Sequence, residues 1–153
     1  MAEVFFYHLT SRPLETALPD ILEKTLSRGW RALVRGTDVA RLERLDTLLW
    51  TRNDSDFMPH GIAGGDHDSS QPILLTDSVE NANKAELLVL VDGARADVAE
   101  AATFERVCLM FDGNDEAQLG AAREDWKAVS EAGLTAQYWA QDGGRWVKKA
   151  ESG

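Results

Sequence analysis

Residues 86–91 hold Glu86, Leu87, Leu88, Val89, Leu90 and Val91, a short apolar run that does not alternate with polar residues. A strand with one wet face alternates. An unbroken run of β-formers needs protein on both sides, as in a parallel sheet between two layers of helices. Residues 4–9 and 106–111 are similar runs, and residues 30–34 and 73–75 are shorter ones. Asp92-Gly93 and Asp112-Gly113 close two of these runs with turn residues.

Helical patterns separate the runs. Leu14, Leu18, Ile21, Leu22 and Leu26 recur at helical spacing, with Ser11 and Pro13 at the entry and Arg28-Gly29 at the exit. Pro19 interrupts this stripe and predicts either a kink or a later helix start. A second helix, capped at Thr37-Asp38, carries Leu42, Leu45, Leu48 and Leu49 and ends at Trp50. A short helix fits residues 97–102. The longest fits residues 115–132, with Asp115 as cap and Gly133 as stop. Residues 134–140 and 145–147 then form two strands around a Gly143-Gly144 turn, and residues 148–153 read as a loose tail. Residues 51–72, rich in Asp, Ser, Gly and Pro, read as one long loop. The fold class is therefore α/β, a single domain over residues 1–153. Its central sheet is mostly parallel, with helices on both faces and a C-terminal antiparallel hairpin.

Composition narrows the function. Lys plus Arg total 16 against 26 for Asp plus Glu, a formal net charge of −10, which opposes coating DNA through bulk charge. That charge leaves room for a local basic patch, and the expected association with DNA is indirect. One cysteine, Cys108, excludes an internal disulfide and any multi-cysteine zinc site. No signal-peptide pattern and no apolar run near ~20 residues is visible, so the expectation is a cytoplasmic chain with no membrane role.

The chemistry-bearing patterns are few. There is no phosphate loop, dinucleotide fingerprint or nucleophile elbow, and no cofactor is implied. His60, Asp66, His67 and Asp68 are metal-ligand types, but a polar loop supplies little pre-organisation and no metal site is assigned. Asp92 and Asp112 follow apolar strands and could line a carboxyl-end crevice. The alternative function is accordingly a small nucleotide- or metal-binding enzyme using those ends. Two other features stand out. Arg123, Trp126 and Lys127 share one face of the last helix, and two cations flanking an indole suit a carboxylate beside an aromatic ring. The plainer reading buries Trp126 and leaves the cations solvated, paired with Glu124 or Asp125. Trp50 with Phe57, Met58 and Pro59 places large apolar groups in and beside a polar loop. That arrangement suits either folding back on the core or a protein-binding patch.

Four segments carry a family resemblance. They are Phe5, Phe6, Tyr7, His8 and Leu9 in the first strand; residues 41–50, ending in Leu49-Trp50; residues 56–64, with Phe57, Pro59 and His60; and Phe111-Asp112-Gly113 followed by Ala122-Arg123 and Trp126-Lys127. In this order they resemble the chi subunit of bacterial DNA polymerase III holoenzyme. The resemblance implies a non-catalytic accessory subunit in DNA replication. Such a chain would bear a polymerase (nucleotidyltransferase) label only as part of that complex. It would bridge the C-terminal tail of single-stranded DNA-binding protein (SSB) to the clamp loader, through the psi subunit or an equivalent partner. The resemblance further implies Arg123, Trp126 and Lys127 as the SSB-tail residues, and Trp50, Phe57 and Pro59 as the psi-facing patch. Some relatives carry a lysine about one turn before the arginine. Here Gln118, Leu119 and Gly120 offer no cation, so the expectation is either a weaker tail site or one that recruits Arg145, Lys148 or Lys149.

Overall fold

The computed structural model describes residues 2–9, 14–51, 60–142 and 145–152. The apolar runs become strands of one eight-stranded sheet. In chain order these are β1 (Glu3–Leu9), β2 (Ala32–Arg35), β3 (His60–Ile62), β4 (Ile73–Thr76), β5 (Leu87–Leu90), β6 (Arg106–Asp112), β7 (Thr135–Asp142) and β8 (Arg145–Ser152). Across the sheet the order is β3-β4-β2-β5-β6-β1-β7-β8. Every pair is parallel except β7 with β8, which is the expected terminal hairpin.

Alternation along each strand divides the core in two. Phe5, Val34, Leu75, Val89 and Met110 face the helices α1 (Leu14–Ser27) and α2 (Val39–Thr51). Phe6, Leu33, Leu88, Leu109 and Phe111 face the other way, toward α3 (Val98–Ala101) and α4 (Glu116–Glu131). Helices thus lie on both faces, and strands buried on both faces need no polar residues to alternate with.

The helix ends follow the sequence chemistry. Asp38 Oδ1 accepts from Ala40 N at 3.0 Å at the start of α2. Asp97 accepts from Glu100 N, and Asp115 accepts from Ala117 N and Gln118 N, so both satisfy orphan donors at helix N-termini. Gly29 and Gly133 follow α1 and α4 at φ of 79° and 78°, a region glycine enters without a Cβ penalty.

Several expectations change. α1 runs unbroken from Leu14 through a buried Pro19, so the helix does not begin there. The entry residues Ser11 and Pro13 lie outside the described residues. The stretch read as one long loop contains β3 and a 3-10 turn at Asp68–Ser70. β3 is added at the sheet edge by pairing with β4, a long-range contact that a three-residue run containing glycine does not announce. The stretch read as a loose tail is the second half of β8, paired with β7 as far as Ala136 opposite Ser152. Backbone pairing to an edge strand does not require apolar side chains, and residues 148–152 are mostly polar or charged.

Candidate functional site

α4 crosses the sheet so that part of its face meets β1 and β6 and part overhangs the β7–β8 hairpin. Beneath the overhang lies a cavity of about 430 Å³. Its floor is Phe6, His8 and Phe111 from the two central strands. Its walls are Leu119, Ala122, Arg123 and Trp126 from α4, with Tyr138 and Ala150 from the hairpin. Trp126 is half-buried and meets Phe6 edge-on at a centroid distance of 5.3 Å and Tyr138 at 6.2 Å. One side of the indole therefore belongs to the core while the residue also lines the cavity. Both sequence readings of Trp126 describe part of its environment.

Arg123 stands exposed at the mouth. Glu124 and Asp125 do not pair with it. Both point to Arg95, with contacts of 3.4 and 2.6 Å. Among the described residues Arg123 makes no ion pair. Its charge still reaches the cavity, because it opposes the upward shift that burial imposes on the Tyr138 hydroxyl. Lys127 is exposed and is not among the lining residues. The structure thus brings Arg123 and Trp126 together and leaves Lys127 beside them.

On the floor, His8 Nδ1 and the Tyr138 hydroxyl share a short hydrogen bond. The His8 ring packs on Phe111, with centroids 5.0 Å apart, and against Gly113. A Cβ on Gly113 would fall 1.8 Å from His8 Nε2, so only glycine leaves room for the imidazole. Burial lowers the His8 pKa, and the Asp112 carboxylate opposes part of that shift. The cavity therefore offers an apolar, aromatic interior, a neutral polar pair at its base and, at its rim, a guanidinium with no ion pair among the described residues. That combination accommodates a ring with an adjacent carboxylate.

The remaining expected residues lie elsewhere. Arg145 lines a different cavity, on the α1 side of the sheet, and does not join Arg123. Lys148 lies opposite Trp139, with Nζ 3.5 Å from Glu151. Trp50 is in the last turn of α2, and its side chain, with Phe57 and Pro59, falls outside the described residues. His60 is buried, with Nε2 3.1 Å from Asp46, while Asp68 accepts from Gly64 N and Gly65 N. Asp66 and His67 are exposed, so this set does not converge. Asp92 is held by Arg41 at 3.1 Å, and Asp112 accepts from Asn114 N at 2.9 Å in the turn after β6. Both strand-end carboxylates thus serve the protein's own groups.

Sequence reasoning missed His8, Tyr138 and Ala150 as cavity residues. His8 and Tyr138 are 130 positions apart, and only the pairing of β1 with β7 brings them together. Leu119 was within reach, being one helical turn before Arg123.

The family described as DNA polymerase III chi subunit, HolC, matches residues 1–137. A Rickettsia prowazekii (strain Madrid E) protein named "Probable DNA polymerase III subunit chi" is 31% identical over 91 residues, 60% of this chain. The aligned part is 55% of that relative, so the chain spans about half of its length. Among the described residues no helix is long and apolar enough to cross a membrane. The match over residues 1–137 covers every element through α4 and the first three residues of β7, and on that basis the chain belongs to the DNA polymerase III chi subunit family.

Proposed function

We propose that this chain is a cytoplasmic, non-catalytic accessory subunit of the replicative polymerase, and that the cavity under α4 receives the acidic C-terminal tail of SSB. The observation that carries the reading is Arg123, with no ion pair among the described residues, at the mouth of an aromatic cavity. The SSB tail expected from the family resemblance ends in a phenylalanine bearing the free carboxylate. Its ring would enter between Trp126 and Phe111, and its carboxylate would meet the guanidinium. A psi subunit, or an equivalent clamp-loader partner, would engage the segment around Trp50, Phe57 and Pro59 and so link SSB to the polymerase assembly.

The test is fluorescence anisotropy with a labelled peptide copying the host SSB C-terminus, beside a control peptide lacking the final phenylalanine. Binding should require that residue. Arg123→Ala should cost ~1.5–3 kcal/mol, the range for a hydrogen bond to a charged group. A variant that binds as tightly as the parent would remove Arg123 from the site. Equal binding of both peptides would remove the pocket.

A further inference from the structure

The opposite face of the same hairpin carries a second cavity, of about 870 Å³. α1 forms one wall of it, through Ile21 and Lys24 with Arg28 just beyond the helix end, and the β7–β8 hairpin another. Tyr7, Trp139 and Trp146 are each partly buried against the core and line the trough between these walls. Tyr7 meets Trp146 edge-on with centroids 4.8 Å apart and lies nearly parallel to Trp139 at 6.4 Å. Cations surround these rings. Lys24 and Arg28 come from the end of α1, Arg106 from the start of β6 and Arg145 from the start of β8. Arg28 sits 4.3 Å over the Trp30 ring. Arg106 is 4.4 Å over Phe5 and is paired with Glu3 at 2.9 Å. Among the described residues Lys24, Arg28 and Arg145 make no ion pair. Asp20 and Glu23 are the acidic lining residues, both on α1. The trough therefore has a local cationic excess in a chain whose formal net charge is −10.

We propose that this trough binds a short stretch of single-stranded nucleic acid, one or two bases lying against Trp146 and Trp139 and the flanking phosphates on Lys24, Arg28 and Arg145. Aromatic faces combined with unpaired cations around a groove are the two elements that single-strand binding needs, and stacking on an aromatic ring is tolerant of sequence. A groove that is both apolar and cationic fits a polyanion whose every unit carries a ring. It fits a purely aliphatic or neutral occupant less well. The site shares no lining residue with the cavity under α4 and does not depend on the peptide reading given above.

The experiment uses the full chain and a fluorescent oligonucleotide of about twelve thymidines, within the range of single-strand site sizes. A ribo-uridine oligomer and a duplex of equal length run in parallel. With about three phosphates neutralised and a slope near −0.7 per contact, affinity should fall roughly tenfold or more between about 50 and 200 mM salt. Trp146→Ala should weaken binding about fivefold or more, the fold-change equivalent of losing one stacked base. Arg145→Glu should weaken it and flatten the salt dependence. Both variants should keep parental affinity for the SSB-tail peptide, which shows that they remain folded. Arg123→Ala should keep affinity for the oligomer. Preference for the deoxy or the ribo strand identifies which single strand is used, and either supports the site. The proposal is overturned by any of three results: no oligomer binding at the lower salt, equal affinity for the duplex, or affinity unchanged in both Trp146→Ala and Arg145→Glu. An acidic aromatic peptide that quenches the trough tryptophans when the oligomer does not would overturn it as well, and would reassign the trough to a protein partner.

Discussion

His8 occupies a position where two demands conflict. The strand places its ring at the base of an apolar cavity, and burial lowers its pKa from the ordinary value near ~6.5. The unfolded chain then binds more protons than the folded one as pH falls through that ordinary value. Stability is fully present above it and is lost on acidification. The Asp112 carboxylate opposes the shift without reversing its direction. Replacing His8 with leucine removes the titration but also leaves the Tyr138 hydroxyl without its partner. At neutral pH the variant should be less stable. On acidification from about pH 7.5 to 5.5, across the ordinary histidine range, the parent should lose more stability than the variant. Urea unfolding at several pH values gives the two slopes, and parallel slopes would show that His8 is not held neutral by the fold. Cys108 shows the same desolvation without the conflict. It is 1% exposed, and burial pushes its thiol up to about 12, with the opposing pull of Arg106 too small to reverse that direction.

Among the elements, β2 ends in a residue that a strand core would not be expected to hold. Arg35 is 4% exposed and makes a bidentate pair with Glu100, at 2.9 and 2.6 Å. It also donates to the carbonyls of Ser78 and Val79. One guanidinium therefore ties β2, the loop after β4 and the four-residue α3 together. Truncating Glu100 to alanine would leave that buried charge without its counterion, at a cost of roughly 3 kcal/mol or more. Glu100→Gln, which keeps an acceptor, should cost less. Chemical denaturation of both variants checks the order. The pair was not legible in the sequence, because Arg35 and Glu100 are 65 positions apart and each alone resembles a surface charge. The strands of the sheet interior were legible, since unbroken apolar runs report burial on both faces, and so was the Asp115 cap, which acts within a few residues of itself. β3 and the outer half of β8 were not. Their membership comes from edge pairing rather than from side-chain pattern. The cavity under α4 was half legible. Arg123 and Trp126 share a helical face, whereas the strands that form the floor meet only through the sheet order.

The whole molecule sets a charge problem for the proposed function. The chain carries −10, and the tail proposed for the cavity is itself acidic, so the long-range field repels the ligand that Arg123 would hold. The two effects act over different distances. Repulsion from the whole surface extends over a Debye length of ~30 Å at 0.01 M salt, which shrinks to ~8 Å at 0.15 M. Contact between guanidinium and carboxylate acts at hydrogen-bond range, where salt screens it less. Raising salt over that interval should therefore speed association with the SSB-tail peptide, the reverse of the behaviour when opposite charges steer an encounter. Dissociation should quicken only modestly, as the contact at Arg123 weakens. Stopped-flow anisotropy at several ionic strengths separates the two rates. An association rate that falls with salt would mean that a local basic surface around α4 dominates the encounter. In that case Lys127, exposed beside the cavity, would be the first residue to neutralise. If Lys127→Ala then slowed association without changing dissociation, its role would be steering. An unchanged association rate in that variant, together with a rise with salt in the parent, would leave Arg123 alone to capture a ligand that the rest of the molecule repels.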